Sequence, residues 1–272
     1  MSDKVVVITG TSTGIGLATA AAAVRSDFTT VATLRNLDRA DAVRSTGADV
    51  RQLDVTDADS VAECLAGVIA DYGRVDAIVN NAGASVLGTA ENLSMDDFRR
   101  AMEVNYFGVV ELTKAAMPHL RATGGRVVTV TSVGGIVGQP FNEAYCAAKF
   151  AVEGFMQSLA PVAASVGVGI CVIEPGAVTT EFVANAGIEP AKEIAEAGPY
   201  APALRAYIER TLGAYTVGQT PEDVAAVVMQ ALTTDPIVFR RQTSDAAKAF
   251  VASTLADLDG SAILNLTSTW VR

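Results

Sequence analysis

The chain has 272 residues, of which half are apolar and 18% are charged, so it can bury a large core and fits one large α/β domain or two small ones. Its net charge of −10 disfavours a surface for nucleic acid or for anionic membrane, because such surfaces need clustered lysine and arginine. Three cysteines without CxxC spacing and a single histidine argue against a disulfide framework or a metal site and favour a cytoplasmic protein.

The first motif is a glycine-rich turn between a strand and a helix. Residues 4–9 (KVVVIT) predict a parallel strand that is covered on both faces, and residues 17–25 predict an alanine-rich helix. Between them lies the segment from Gly10 to Gly16, whose backbone amides, together with the helix N-terminus, suit a phosphate group. A tight turn that merely needs glycines is the alternative, but the flanking strand and helix favour nucleotide binding.

The second strand, Thr29–Leu34, bears on the choice of cofactor. Dinucleotide folds usually place a carboxylate at the end of this strand to bind the adenosine ribose. This chain has Arg35 there, and a guanidinium suits a 2′-phosphate. The residue therefore favours NADP(H) over NAD(H), against the alternative of a solvated arginine.

Polar residues follow the next two predicted strands. Asp54 ends the strand at residues 50–53, and Asp57 is a predicted N-cap for the helix that runs to Tyr72. The strand at 75–79 leads into residues 80–83 (NNAG), whose small side chains allow a ligand to approach the backbone. A long helix over residues 94–119 contains Asn105, which either bonds inward or lies exposed.

The segment from Ser132 to Lys149 contains the residues best suited to acid–base chemistry. Ser132 follows a strand that begins at Arg126, and a helix over residues 143–165 places Tyr145 and Lys149 on one face. An ammonium beside a phenol lowers its pKa from about 10, because it stabilises the phenolate. The pair is thus predicted to exchange a proton with a substrate oxygen near neutral pH.

The last third of the chain contains a sixth strand, at residues 168–173, followed by a PG turn. Glycines and prolines then interrupt residues 181–218, which predicts a mobile insertion over the site. A helix begins at Thr220 with proline at its first position, a final strand is predicted at residues 237–239, and residues 244–258 predict a helix. With no linker or repeat, residues 1–272 are predicted to form one domain, with a helical tail over 244–272.

Two stretches free of charge, residues 5–24 and 154–173, are long enough to be weighed as membrane spans. Both contain glycine and polar residues in mid-run, and the second contains Pro161. That composition fits buried strand, loop and helix segments better than a hydrocarbon span, so no membrane span is expected.

Taken together, the motifs resemble the short-chain dehydrogenase/reductase family. They occur in the family's order and at its spacings, over roughly residues 4–239: Thr9-Gly10-x-x-x-Gly14-Ile15-Gly16, Asp54-Val55, Asn80-Asn81-Ala82-Gly83, Asn105, Ser132, Tyr145-x-x-x-Lys149 and Pro175-Gly176-x-Val178-x-Thr180. The resemblance implies a Rossmann-type doubly wound sheet of seven parallel strands, in the order 3-2-1-4-5-6-7, between two layers of helices. Family members are commonly dimers or tetramers, so a homo-oligomer is implied.

The resemblance also implies catalytic roles. Tyr145 would be the general acid/base, and Lys149 would lower the tyrosine's pKa and hold the nicotinamide ribose. Ser132 would hydrogen-bond the reacting oxygen, and Asn105 would complete a proton relay through water.

The implied cofactor contacts come from every part of the motif set. Gly10, Gly14 and Gly16 would shape the phosphate turn, with Ser12, Thr13 and Ile15 lining it. Asp54 and Val55 would meet the adenine, and Asn81, beside Ala82 and Gly83, the adenosine-side ribose. Val178 and Thr180, after Pro175 and Gly176, would face the carboxamide and the pyrophosphate. The basic residue that the family usually has before its second glycine is replaced by Thr13, so the NADP(H) preference depends on Arg35.

Two segments, SVGGIVGQPFNEAYCAAKFAVEGFMQSLA (residues 132–160) and ATLRN at the second strand (residues 32–36), resemble the 17β-hydroxysteroid and retinol dehydrogenase branch. The resemblance therefore predicts hydride transfer between NADP(H) and a bulky, apolar alcohol or ketone. A ketoreductase of carrier-bound acyl chains is a second hypothesis, and a redox sensor that binds NADP(H) without turnover is a third. The intact Ser132, Tyr145 and Lys149 argue against a sensor.

Overall fold

The structure, a computed structural model, describes residues 4–181 and 187–271. A seven-stranded sheet, parallel throughout, runs in the order β3-β2-β1-β4-β5-β6-β7, as predicted. The strands are β1 (Val5–Thr9), β2 (Thr29–Leu34), β3 (Asp49–Gln52), β4 (Ala77–Asn80), β5 (Arg126–Val130), β6 (Gly169–Glu174) and β7 (Arg240–Gln242).

Eleven α-helices are found in the described part of the chain. They are α1 (Gly14–Arg25), α2 (Asp41–Arg44), α3 (Ala58–Tyr72), α4 (Met95–Met102), α5 (Gly108–Thr123), α6 (Glu143–Ala164), α7 (Pro190–Glu196), α8 (Ala201–Thr216), α9 (Pro221–Thr233), α10 (Asp245–Leu255) and α11 (Ser261–Ser268). None of these helices combines the length and the apolar character needed to cross a membrane.

The apolar pattern of the strands explains why the sheet lies between two layers of helices. Side chains alternate between the faces of a strand, so a strand that is apolar at every position needs cover on both sides. In β1, Val5 and Val7 pack with α3, α5 and α6, whereas Val6 and Ile8 pack with α1 and α9 on the other face. Two cores therefore enclose the sheet, and the carboxyl ends of its strands lie together along one edge.

Two predicted helix starts are confirmed in atomic detail. Asp57 caps α3 by accepting hydrogen bonds from the amides of Asp59 and Ser60. Thr220 caps α9, where Pro221 is the first helical residue and Asp223 completes a capping box. Such caps satisfy amides that a helix leaves without partners, which is why the sequence identifies them.

The predicted final strand is displaced. The apolar residues 237–239 were expected to form it, but β7 consists of Arg240–Gln242, paired with Val172–Glu174. Ile237 instead packs into the core beneath the sheet. The charged strand is stable because Arg240 forms ion pairs with two buried carboxylates, those of Glu153 and Glu174. The apolar pattern of the sequence does not reveal these ion pairs.

The insertion is more regular than its glycines and prolines predicted. Residues 190–216 form mainly α7 and α8, while the part at 182–186 lies outside the described residues. That the insertion is mobile stays a prediction. Prolines open both helices, at Pro190 and near the start of α8 at Pro202, where a missing amide costs little.

The tail packs against the insertion. The predicted helix at residues 244–258 is α10, capped by Ser244, and α11 lies within the helical tail predicted over residues 244–272. Trp270 joins Phe141, Leu204 and Tyr207 in a small separate core, and the guanidinium of Arg210 lies 3.6 Å from the Trp270 ring centroid. The tail and α8 thereby form one wall beside the loop that precedes α6.

Candidate active site

The glycine-rich turn is closely packed against the loop after β4. Gly10 and Gly14 adopt positive φ angles of 70° and 57°, a conformation that favours glycine. A β-carbon on Gly10 would lie 2.8 Å from the Cα of Ala82. One on Gly16 would overlap the carbonyl oxygen of Gly10 and the side-chain Nδ2 of Asn81. The turn therefore needs glycine at these positions.

Hydrogen bonds hold the same two segments together. The Nδ2 of Asn81 donates to the carbonyl oxygens of Thr9 (2.9 Å) and Gly10 (3.1 Å). The Oγ1 of Thr9 accepts from the amides of Asn81 and Ala82. The side-chain amide of Asn81 therefore fixes the shape of the turn. The same side chain was predicted to contact the adenosine-side ribose.

The segment after β6 borders the turn from the other side. The side chain of Thr180 comes within 3.2 Å of the position that a β-carbon on Gly14 would occupy. Val178 is buried and bridges to Gln219, and the carbonyl of Pro175 accepts from the amide of Val133 at 3.0 Å. Segments far apart in sequence thus border one cradle of small residues.

The predicted adenine-side residues lie at the ends of β2 and β3. The Arg35 side chain is exposed after β2. Asp54 accepts hydrogen bonds from the amide and hydroxyl of Thr56, so its carboxylate orients the local turn. Val55 is in close contact with Gly108, where any β-carbon would lie 2.8 Å from the Val55 side chain. Ser12, Thr13 and Ile15 are half-buried on the turn itself.

Tyr145 and Ser132 are hydrogen-bonded through their side chains. Ser132 follows β5 and its Oγ accepts the amide of Gly134 at 2.9 Å, which fixes the hydroxyl at the end of the strand. Burial raises the pKa of the Tyr145 phenol, and the hydrogen bond from Ser132 partly opposes that shift. The predicted lowering of the tyrosine pKa is therefore wrong for this arrangement, because loss of water outweighs the stabilisation of the phenolate.

Lys149 lies beneath the tyrosine with only 4% of its surface exposed. Its Nζ donates to the carbonyl of Val130 at 3.1 Å and lies 5.8 Å from the Tyr145 ring centroid. Burial lowers the pKa of Lys149 to about 8, and the carboxylate of Glu153 partly opposes this. A β-carbon on Gly83 would lie 3.8 Å from this nitrogen, which places Lys149 next to the cradle.

Asn105 lies in a π-helical turn, Glu103–Phe107, between α4 and α5. The residue is fully buried, which decides between the inward and exposed alternatives. Its Oδ1 accepts from the amide of Ala84 at 3.1 Å, and its Nδ2 donates to the carbonyls of Ala84 (2.9 Å) and Ala101 (3.0 Å). The side chain thus clamps the loop after β4 and keeps it next to Lys149.

Sequence analysis missed a buried ionic network behind the tyrosine. Arg240 lies 3.0 Å from Glu153 and 2.5 Å from Glu174, two carboxylates that are almost fully buried. Burial raises the pKa of Glu174 to about 7, while a hydrogen bond from Gln242 lowers it. The available signal was the spacing of Glu153, four residues after Lys149 on the same helix face.

The Glu174 carboxyl is expected to make stability depend on pH. Its pKa is raised on folding, so the folded state binds more protons between about pH 4.5 and 7, and its contribution to the free energy of unfolding falls as pH rises through that window. Between pH 4.5 and 8, the free energy of unfolding of Glu174→Gln should rise by on the order of 3 kcal/mol relative to that of the wild type. Urea unfolding at both pH values measures this difference, with Glu209→Gln on the exposed face of α8 as the control. A parallel pH dependence in wild type and Glu174→Gln would contradict it.

These features define a class of protein: a doubly wound parallel sheet with a glycine-rich cradle at the carboxyl ends of its strands, next to a hydrogen-bonded serine and tyrosine and a buried lysine. Cradles of this kind accept dinucleotides, and a tyrosine beside a lysine is a device for moving protons at oxygen.

The chain belongs to the short-chain dehydrogenase family, whose model matches residues 4–196. It is therefore an oxidoreductase that acts on CH–OH groups. It is 35% identical to retinol dehydrogenase 8 of Bos taurus over 281 residues, covering 96% of this chain and 88% of that protein. It is also 35% identical to human 17-beta-hydroxysteroid dehydrogenase type 1, covering 96% and 84%.

A solved structure shares the fold at a TM-score of 0.71. It is the alcohol dehydrogenase of the archaeon Thermococcus sibiricus complexed with 5-hydroxy-NADP, 28% identical, with 88% of this chain and 95% of that one covered. The two relatives, retinol dehydrogenase 8 and 17-beta-hydroxysteroid dehydrogenase type 1, confirm the resemblance to the retinol and 17β-hydroxysteroid dehydrogenase branch.

Proposed function

We propose that the protein is an NADP(H)-dependent oxidoreductase that interconverts a bulky, apolar secondary alcohol and its ketone, of the size of a steroid or retinoid. The hydrogen bond between Ser132 and Tyr145, with the buried ammonium of Lys149 beside it, carries this proposal. Its relatives include a retinol dehydrogenase and a 17β-hydroxysteroid dehydrogenase.

The cradle fits a nicotinamide dinucleotide, because side chains are absent where a cofactor backbone must approach. Gly10, Gly14 and Gly16 leave the turn open, and the N-terminus of α1 favours the negative pyrophosphate. Lys149 would hold the nicotinamide ribose, and Thr180 would face the pyrophosphate side. When bound, the cofactor supplies or removes hydride at the substrate carbon.

The remaining contacts follow the residues already placed around the cradle. Ser12, Thr13 and Ile15 would line the phosphate turn, and Asp54 with Val55 would border the adenine. Asn81, Ala82 and Gly83 would line the ribose side, and Pro175, Gly176 and Val178 the carboxamide side.

Tyr145 performs the proton transfer. Its raised pKa keeps the phenol protonated at rest, so it can donate a proton to a ketone oxygen that has moved into hydrogen-bonding distance. Ser132 donates a second hydrogen bond to the same oxygen, and the charge of Lys149 stabilises the phenolate that remains. Asn105 keeps the loop above Lys149 in place and thereby supports the predicted relay of protons through water. Oxidation of an alcohol reverses these steps.

A cavity of about 260 Å³ lies between the loop after β4 and the insertion. Its lining is mixed: the apolar side chains include Leu87, Leu93, Phe141 and Leu204, and the polar ones are Thr89, Asn92, Glu193 and Glu196. Phe141 precedes Tyr145 by four residues, and the hydroxyl of Tyr207 accepts from Asn142 at 2.6 Å in the same wall. The apolar part of this cavity can take the body of a bulky substrate, and the preference for an apolar one is supported by the retinol and 17β-hydroxysteroid dehydrogenase relatives.

Arg35 supports the preference for NADP(H), because a bidentate guanidinium suits a phosphate dianion. Arg35→Asp should weaken NADPH binding about 30- to 100-fold, since an attractive charge is replaced by a repulsive one. NADH binding should change less than threefold or improve. Fluorescence titration of both cofactors measures the ratio, with Arg39→Asp as a nearby exposed control. Equal losses for both cofactors would remove the support for NADP(H).

Oxidation of NADPH across ketosteroids, retinal, quinones, small ketones and β-ketoacyl thioesters tests the substrate class. The expected result is turnover of a bulky ketone and little turnover of acetone-sized ones. Preference for a thioester would move the assignment to a carrier-bound acyl chain. Tight NADPH binding without turnover of any compound would favour a sensor or a substrate outside the panel.

We also propose that the chain is a single domain that works in the cytoplasm as a homo-oligomer. Phe107 and Phe150 are 48% and 44% exposed on neighbouring helical segments, and such aromatic side chains are typical of subunit interfaces. Light scattering coupled to size exclusion tests the subunit number, and a mass of 28.1 kDa in solution would contradict it.

A further inference from the structure

A line of buried charges runs from Lys149 to the edge of the sheet. Glu153 lies one helical turn after Lys149 and is only 4% exposed. Its Oε1 accepts from the hydroxyl of Thr131 at 2.6 Å, next to Ser132, and its Oε2 lies 3.0 Å from Arg240. The carboxylate is therefore fixed at both oxygens.

The side chain of Glu153 is also closely packed near its base. Gly135, in a short 3-10 turn after Ser132, lies directly over this part of α6. A β-carbon there would be 3.0 Å from the Cγ of Glu153 and 3.1 Å from the carbonyl oxygen of Lys149. The contact explains why this turn has a glycine, and it packs the turn against the helix at both Lys149 and Glu153.

Among the described groups, Glu153 is the carboxylate whose charge acts on Lys149. The other ionisable groups around this part of α6 include Tyr145 and Cys146 on the helix, Glu174 on β6, Arg240 on β7, Glu103 and Tyr106 in the π-helical turn, and Asp97 and Arg100 on α4. Asp97 and Arg100 pair with each other, and Glu103 is exposed. Glu174 reaches the network through Arg240, which lies between it and Glu153.

We propose that Glu153 is a positioning residue that keeps the buried Lys149 ammonium charged, and so available to Tyr145, by placing a fixed carboxylate one helical turn away. The inference rests on the proposed function for its catalytic meaning. Its physical content, a charge coupling between two buried side chains, exists in the protein without cofactor or substrate. A buried amine without such a partner would lose its proton readily, because burial disfavours the charged form.

The proposal is tested by an NMR titration of the Lys149 side chain. The chain has five lysines, so the protein labelled with ¹³Cε-lysine gives a simple NMR spectrum, and Lys149→Met assigns the signal. The wild-type titration midpoint is expected at about 8. Glu153→Gln should lower it by about one pH unit, because loss of a nearby opposite charge destabilises the ammonium. Glu153→Asp keeps the charge and should keep the midpoint within about 0.4 unit of the wild type.

Two results would overturn the proposal. One is an unchanged midpoint in folded Glu153→Gln. The other is an equal fall in Glu153→Asp, which would mean that packing and not charge sets the lysine's state. Glu174→Gln is the matched control, since it also removes a partner of Arg240 but lies beyond it from Lys149. It should shift the midpoint by less than about 0.3 unit.

Arg240→Gln provides an independent arm if Glu153→Gln does not fold. Removing this cation leaves the charge of Glu153 to act on Lys149 alone, so the midpoint should rise. An unchanged or lower midpoint would contradict the proposal.

The alkaline limb of the pH profile of kcat/KM should move with the midpoint in each variant. Absence of turnover in every variant and in the wild type would contradict the proposed function while leaving the titration result intact, so the two failures are distinguishable.

Discussion

Tyr145→Phe is expected to reduce kcat for the preferred ketone by about 10²- to 10⁴-fold, the range that a positioned general acid contributes. The substitution removes one oxygen and keeps the ring that packs near Lys149. NADPH should therefore bind within about threefold of wild-type affinity, because the cradle and its glycines are untouched. Stopped-flow oxidation of NADPH gives the rate, and fluorescence titration gives the affinity.

The matched control is Tyr72→Phe. Its hydroxyl lies 3.1 Å from Asp49 at the far end of α3, and the same oxygen is removed without touching the site. Its activity should equal that of the wild type. A Tyr145→Phe enzyme that retains more than about a tenth of wild-type kcat would assign the proton transfer to another group.

Gly16→Ala is expected to have the second large effect. The added methyl group would overlap the carbonyl oxygen of Gly10 and the amide of Asn81, two atoms that are hydrogen-bonded to each other. The first belongs to the backbone, and the second is the side-chain Nδ2 of Asn81, which two hydrogen bonds hold in place, so the turn must shift. Overpacking of this kind costs about 1–3 kcal/mol of the free energy of unfolding. Cofactor affinity should fall by at least about tenfold, because the turn no longer presents its amides correctly.

Gly154→Ala on α6 is the control for this substitution. Gly154 lies inside a helix, is exposed, and has no atom within 4 Å of the position that a β-carbon would take. Alanine there should stabilise the protein by about 0.5–1 kcal/mol, because glycine is costly inside a helix. Urea unfolding and cofactor titration of both variants test the pair. Wild-type cofactor affinity in Gly16→Ala would show that the turn is not the binding cradle.

Local signals made most of the fold predictable. Continuous β-branched strands such as β1 and β2 required two covered faces, and capping residues such as Asp57 and Thr220 marked helix starts. Residues adjacent in sequence produce these signals, so no tertiary contact is needed to recognise them. The prediction failed for β7, where a charged strand at the sheet edge relies on carboxylates distant in sequence. The helices in residues 190–216 were not predicted from the sequence, because packing against Phe141 and Trp270 stabilises them.

For the site, the sequence by itself determined which residues meet: the spacing of Tyr145 and Lys149 on one helix, the serine at the end of β5, and the glycines of the turn. Only the tertiary structure decided their electrostatic state. Burial raises the pKa of Tyr145 and lowers that of Lys149, and Glu153 is held beside the lysine by Thr131 and Arg240. The reason is physical: a pKa depends on how much water and which charges surround a group, and both are set by segments that the chain order keeps apart.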